Sequence, residues 1–311
     1  MLNLKEIDSL EITTLIDNYS DLLLADQEGV KRFRAKKGVR AALLAEHGLS
    51  LLIQAIRGEE KHTVILDAGW TGKAIAYNLK VLEINLAEVE TIVLSHGHMD
   101  HFGGLKQLLA LASKKMPLVC HPDAFLSSRV NLLHGVTKVT LPSLKREEII
   151  SAGAIITESK KPYLLGNAFL ATTGEIPRQN TYEKGNLNMY LEKEGKLVED
   201  LILDDQSIIA NVRNKGLVVI AGCAHAGIVN TVHWAQKITG QKKVYAILGG
   251  LHLSGTPNLA YVLEQTVKEL KALSLAKIIP MHCTGWQSTH YLSQAMPEAF
   301  ILNSIGSSYY L

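Results

Sequence analysis

The segment Ser95-His96-Gly97-His98-Met99-Asp100-His101 constrains this chain more than any other stretch. It places four metal-capable side chains within six consecutive positions, directly after the apolar run Thr91-Ile92-Val93-Leu94 and directly before Phe102-Gly103-Gly104. A strand that ends on a tight loop lets neighbouring side chains converge, whereas a regular strand sends alternate ones to opposite faces. Imidazole and carboxylate donors suit zinc, manganese and iron. Three of the chain's twelve histidines fall inside those six residues, which a loop of solvated surface histidines does not explain. The spacing predicts a metal site at a strand end.

The flanking sequence supplies an architecture around it. Leu10 to Ile16 reads as a first strand ending at Asp17-Asn18, and Leu49–Ile53 with Thr63–Leu66 reads as a hairpin turned by Gly58-Glu59-Glu60-Lys61. Asp67-Ala68-Gly69 closes that hairpin, where Asp67 can support a neighbouring ligand imidazole. Ala74 to Leu82 and the stripe Leu105, Leu108, Leu109, Ala112 predict helices, and Pro122-Asp123 opens another reaching Leu132. Strands follow at Leu118–His121, Phe169–Thr173, Leu201–Leu203, Ser207–Val212, Leu217–Ala221, Val244–Leu248 and Lys277–Met281. Pro280 marks the last as an end or an edge. Between them lie a helical stripe from Ile228 to Ile238 and a helix capped by Thr256 with Pro257. This alternation is α/β in character. The polar or aperiodic stretches near 19–45 and 175–200 read as cap or insertion segments of one domain spanning 1–311.

Composition excludes several classes. An apolar fraction of 47% and a charged fraction of 20% describe a globular protein. A formal charge of +2 gives no reason to expect a nucleic-acid partner. No apolar run approaches the roughly 18 residues that span a bilayer, no secretory signal is visible at Met1 to Glu6, and three scattered cysteines make no disulfide framework. These features point to a cytoplasmic protein acting on a small molecule, and leave its oligomeric state open.

Donors gathered on one loop can be joined by others from elsewhere in the chain. His225 and His282 each follow a buried apolar strand directly and precede a glycine and a helix. Strand ends on one edge of a sheet are where side chains converge in α/β proteins, so both are candidates to join the loop's donors.

His96, His98, Asp100 and His101 form the pattern HxHxDH, which resembles the signature of the metallo-β-lactamase superfamily of dinuclear metalloenzymes. The resemblance implies an αββα sandwich, two mixed sheets flanked by helices. It also implies two divalent metal ions, zinc first with manganese or iron as alternatives. One would be held by His96, His98 and a third histidine, the other by Asp100, His101 and a C-terminal histidine, with a bridging acid between. His282 matches the C-terminal ligand; His225 stands at a turn where the superfamily usually has an aspartate. The bridging position has no obvious owner. Glu175 sits near where the family often has a histidine, and Cys223 offers a thiolate that zinc accepts. Asp100, beyond its ligand role, is a candidate base, and His252 is expected to face substrate or leaving group. His47 and Arg178 are candidate substrate contacts. Helices beginning after Gly227 and Gly285 would direct N–H groups at an anionic substrate such as a phosphate.

Five segments extend the resemblance along nearly the whole chain: Glu46–Ser50, Gly174–Arg178, Gly222–Gly227, Gly249–Leu253 and His282–Gly285. Together they are similar to the 7,8-dihydropterin-6-methyl-4-(β-D-ribofuranosyl)aminobenzene-5'-phosphate synthase-like subfamily. That similarity implies transfer of a dihydropterin methyl group from its diphosphate to a ribosylaminobenzene phosphate, releasing diphosphate. The competing expectations are a metal-dependent phosphodiesterase or lactonase, and a metal-bearing sensor or binding protein without turnover. Six intact ligands argue against the last.

Overall fold

Strands buried on both faces read as near-continuous apolar runs, and the long runs of this chain form two sheets packed face to face. The computed structural model describes residues 1–35, 42–133, 135–184 and 188–311. One sheet runs in the order Ala154–Glu158, Met116–Cys120, Thr91–Val93, Glu60–Leu66, Ser50–Arg57, Ser9–Ile16, Ser308–Tyr310, Val30–Lys31. The other runs Tyr163–Leu165, Leu170–Thr172, Ser207–Val212, Gly216–Ala221, Val244–Gly250, Lys277–Met281, with Glu6–Ile7 parallel to Ser207–Val212. Both mix parallel and antiparallel pairs.

Side-chain alternation assigns each strand to two layers at once. Leu51, Ile53 and Ala55 face Val218, Ile220 and Leu248 in a cluster between the sheets. Leu52 and Ile65 turn outward to Ile75, Leu79, Leu105 and Leu109 of helices Gly72–Val81 and Leu105–Leu111. On the far side Val219 and Ile247 pack on helices Ile228–Thr239 and Leu259–Ala272 through Val232, Val262 and Leu270. Each fully buried Leu or Ile contributes about 1.5–3 kcal/mol relative to exposure. The layers are the αββα arrangement expected from the sequence.

Several local expectations are corrected. Pro122 begins only the short 3₁₀ turn Pro122–Phe125, and Arg129–Leu133 is a strand, not the end of a helix. Leu201–Leu203 is not a strand. The polar stretch beyond Arg178 contains the hairpin Met189–Lys193 with Lys196–Glu199, which joins Arg129–Leu133 and Thr137–Thr140 in a four-stranded sheet. The N-cap of the Leu259–Ala272 helix is Asn258, in the left-handed region at φ 52°, rather than Thr256. Of the expected cap and insertion segments, residues 36–41 and 185–187 lie outside those described. Lys277–Met281 ends its sheet path, as Pro280 predicts.

The parallel pairing matters most for function. Glu60–Leu66 and Thr91–Val93 run parallel, as do Gly216–Ala221, Val244–Gly250 and Lys277–Met281. Their C-terminal ends deliver Asp67, Ser95, Gly222, Leu251 and His282 to one region of the molecule.

Candidate metal centre

The loop after Thr91–Val93 is tied down before its ligands begin. Ser95 N–H donates to Asp67 Oδ1 and Ser95 Oγ to Asp67 Oδ2, both at 2.7 Å. Gly97 N–H donates to Asp204 Oδ2 at 2.7 Å, and a Cβ on Gly97 would lie 2.3 Å from the Ala124 carbonyl oxygen. Only glycine fits that approach. His98 then caps a single helical turn, Met99–Phe102, which carries Asp100 and His101 away from the first two histidines.

Two groups of donors result. His96 Nε2 lies 2.9 Å from His98 Nδ1 and 3.1 Å from His225 Nε2. His101 Nε2 lies 3.1 Å from His282 Nε2, which is 3.2 Å from Asp100 Oδ2. Each triad is assembled from distant parts of the chain. The imidazoles are buried except that of His98, which is half-buried, and Asp100 remains 17% exposed. Cys223 Sγ belongs to both gatherings: it lies within 4.8 Å of the donors of His96 and His225, and likewise of His101 and His282.

Supporting hydrogen bonds select which ring nitrogen faces inward. Ser95 Oγ lies 3.0 Å from His96 Nδ1, Asp67 Oδ2 lies 2.6 Å from His101 Nδ1, and Asn18 Oδ1 lies 3.2 Å from His282 Nδ1. In each case the outer nitrogen donates and the inner Nε2 lone pair is directed at its triad. Asp17 Oδ1 accepts from His282 N–H at 2.8 Å, fixing the strand-end turn itself. Asp67, Ala224, His252 and His282 all hold positive φ, between 41° and 60°. Non-glycine residues in that region are strained, and such strain concentrates at functional sites.

Electrostatics favour cation binding. Burial, reinforced by His101, drives His96 well below its ordinary value; burial also drives His225 well below, reinforced by His252. Burial and then Arg129 lower His98 to about 3. All three rings are therefore neutral at pH 7, the form that coordinates a metal. Burial opposes ionisation of Asp100, but His101 and His282 outweigh it and hold the carboxyl well below its usual range. His101 is the exception: burial opposes its charge, but Asp67 and Asp100 outweigh it and raise the ring to about 9, so a bound cation must displace the Nε2 proton there. His98 Nε2 and His225 Nδ1 are buried without a hydrogen-bond partner among the described residues. Imidazole and carboxylate donors with this convergence fit divalent zinc, manganese or iron.

Asp67 offers a direct test of the supporting shell. Asp67→Asn keeps the volume and tolerates positive φ, but its amide cannot accept from Ser95 N–H, Ser95 Oγ–H and His101 Nδ1–H together. Metal affinity is expected to fall roughly 10–100-fold, read by competition with a chromophoric chelator on protein whose circular dichroism is unchanged. Unaltered affinity contradicts the role.

The other sequence candidates fall in different places. His47 is 61% exposed at the mouth, its Nε2 3.6 Å from Asp100 Oδ2, in a turn held by Glu46 accepting from Trp70 N–H and Thr71 N–H. His252 packs tilted against His225 at a centroid distance of 4.0 Å, with Nδ1 3.5 Å from Cys223 Sγ. Arg178 donates to the carbonyls of Leu201 and His225, so it braces the His225 turn. Glu175 is paired with His121 at 3.0 Å and Lys160 at 3.2 Å and joins neither triad. The helix after Gly227 does not offer free N–H groups at Val229 and Asn230, because the Glu183 carboxylate accepts from both at 2.9 Å.

Sequence reasoning passed over the buried ion group behind the loop. Arg129 Nε donates to Asp200 Oδ2 at 2.9 Å and its Nη1 to Asp204 Oδ2 at 3.1 Å, and Nη2 pairs with Asp204 Oδ1. Asp204 is also the acceptor for Gly97, so this group anchors the ligand loop. Asp205 is buried beside it and accepts from Ala226 N–H at 2.9 Å, fixing the His225 turn.

Comparisons with known proteins bear on family and fold. The metallo-β-lactamase superfamily model matches residues 45–125. The 7,8-dihydropterin-6-methyl-4-(β-D-ribofuranosyl)-aminobenzene-5'-phosphate synthase of Methanocaldococcus jannaschii is 31% identical over 303 residues, covering 96% of this chain and 96% of that protein. An uncharacterised protein of the same organism is 30% identical over 285 residues, covering 91% of this chain and 97% of its own length. The solved structure of Tm1679, described as a metal-dependent hydrolase of the β-lactamase superfamily, has the same fold at a TM-score of 0.73. It is 21% identical and covers 97% of this chain and 98% of that one. Full-length similarity to the synthase, joined to the HxHxDH loop at the shared strand edge, shows that the chain belongs to the metallo-β-lactamase superfamily and is a metal-dependent enzyme.

Proposed function

We propose that the chain is a dinuclear-metal transferase acting on a phosphorylated small molecule, joining a dihydropterin methyl diphosphate to a ribosylaminobenzene phosphate with release of diphosphate. The observation that carries the metal part is the pair of adjacent triads, His96/His98/His225 and Asp100/His101/His282. The substrate part rests on the 31% identity to the synthase over 96% of the chain.

The two triads would each hold one divalent ion. Ions bound there supply Lewis-acid stabilisation of negative charge on a leaving diphosphate or an attacked phosphoryl oxygen. The chain's own residues do the rest. Asp100 holds its carboxylate between His282 and the solvent side, where it orients a reacting group. His47 reaches the same carboxylate from the solvent side and contacts substrate. His252, walled by Cys223 and His225, faces the leaving group.

Metal-loaded protein incubated with the pterin pair, a phosphodiester, a lactone and a β-lactam separates the readings. Diphosphate release from the pterin pair, dependent on both substrates, is the expected result. Hydrolysis of the phosphodiester or lactone without it moves the assignment to a hydrolase. Turnover of none of the panel contradicts the proposed substrate class.

A further inference from the structure

We infer that Cys223 supplies the shared donor between the two triads, the position that the superfamily pattern gives to a carboxylate. The inference rests on the dinuclear reading above and names the residue that joins its halves.

Placement carries it. Among the described residues Cys223 is grouped with ligands of both triads, while Asp100 is grouped only with His47 and His282 and Glu175 with neither. The backbone is built to bring the sulfur there. A Cβ on Gly222 would lie 2.2 Å from Ser95 Cβ and 3.0 Å from Asp67 Oδ2, so this strand end abuts the ligand loop as only glycine allows. Ala224 then takes φ 53°, turning the chain so that Cys223 and His225 both serve the cluster. On the opposite side Gly250 lets Cys283 approach, since a Cβ there would lie 2.7 Å from Cys283 Sγ.

Cys223 Sγ directs its hydrogen at Cys283 Sγ, 2.9 Å away, and Cys283 Sγ also accepts from His252 N–H at 3.3 Å. A thiol coordinates only as thiolate, so this is the proton that cation binding displaces. A sulfur donor also narrows the choice of metal. Thiolate favours zinc, iron and cobalt over manganese or magnesium, which an all-imidazole and carboxylate set accepts. The usual bridging carboxylate and this thiolate thus differ in selectivity as well as in shape.

Cobalt(II) loading tests the assignment without reference to turnover. A thiolate bound to cobalt(II) gives an intense near-ultraviolet charge-transfer band that imidazole and carboxylate ligands do not. Wild-type protein loaded with cobalt is expected to show the band, Cys223→Ser to lose it, and Cys283→Ser to retain it. Cys223→Asp, which restores a carboxylate, is expected to bind cobalt without the band and keeps the comparison open if Cys223→Ser does not fold. Cobalt bound to wild-type protein with no band overturns the thiolate bridge and leaves the histidine and aspartate centre standing. A band that survives Cys223→Ser, or disappears in Cys283→Ser instead, also overturns it. Failure of wild-type protein to bind cobalt at all overturns the dinuclear reading with it.

Discussion

Arg129→Met is expected to destabilise the fold by about 3–5 kcal/mol, the cost of leaving buried charge without its partner. Arg129 is 2% exposed and faces Asp200 and Asp204, whose side chains are 4% and 0% exposed. Domains have only about 5–15 kcal/mol of net stability, so the urea midpoint should drop steeply. Part of that loss should return in Arg129→Met/Asp200→Asn/Asp204→Asn, where no carboxylate is stranded. The pH dependence gives a second signature. Burial pushes the Asp204 carboxyl up, but Arg129 outweighs it and holds the folded value below the ordinary range. Such a group contributes stability that is present above its unfolded pKa and lost as pH falls through the lower folded one. Without Arg129 burial prevails and lifts the folded value above the ordinary one, so this contribution changes sign and the variant's deficit against wild type should shrink as pH falls. A midpoint shift below about 1 kcal/mol, in the range of an exposed pair, contradicts this account.

His98→Ala is expected to remove turnover while leaving the fold intact. The side chain is partly buried, and the rings it packs against are those of His96 and His225, at centroid distances of 4.5 and 4.9 Å. Its Nδ1 is one of three nitrogens converging on the first triad. Losing a supporting partner of a ligand already costs roughly 10–100-fold in metal affinity or activity, and losing the ligand should cost more. The comparison is the rate of diphosphate release per folded molecule, with folded fraction fixed by thermal melts. A variant with wild-type turnover contradicts the placement of His98 in the centre.

The parts of this protein legible in its sequence are those where the signal is local. The HxHxDH loop packs its donors into six positions, and His225 and His282 each follow an apolar run that could only be a buried strand. The layered fold follows from the same runs. The sequence is much quieter about contacts made by topology. Arg129 meets Asp200 and Asp204 across 71 and 75 residues, and it lies in a stretch whose Pro122-Asp123 opening reads as helical. Glu183 caps a helix that starts 45 residues later, at Ile228, and nothing near it in sequence announces an N-cap. Glu175 and Arg178 stand out in sequence only as charged residues on one turn; that the carboxylate meets His121 and the guanidinium the carbonyl of His225 depends on residues far along the chain. Cys223 is the opposite case. Its spacing from His225 is visible, but its nearness to both triads depends on three parallel strands ending level with one another.

Metal content of the purified protein tests the central claim most directly. Elemental analysis should find about two equivalents of divalent transition metal per chain, one for each triad, with a clear reduction in His98→Ala. Less than about one equivalent in wild-type protein after loading, unchanged by that substitution, would contradict the metal centre on which the account stands.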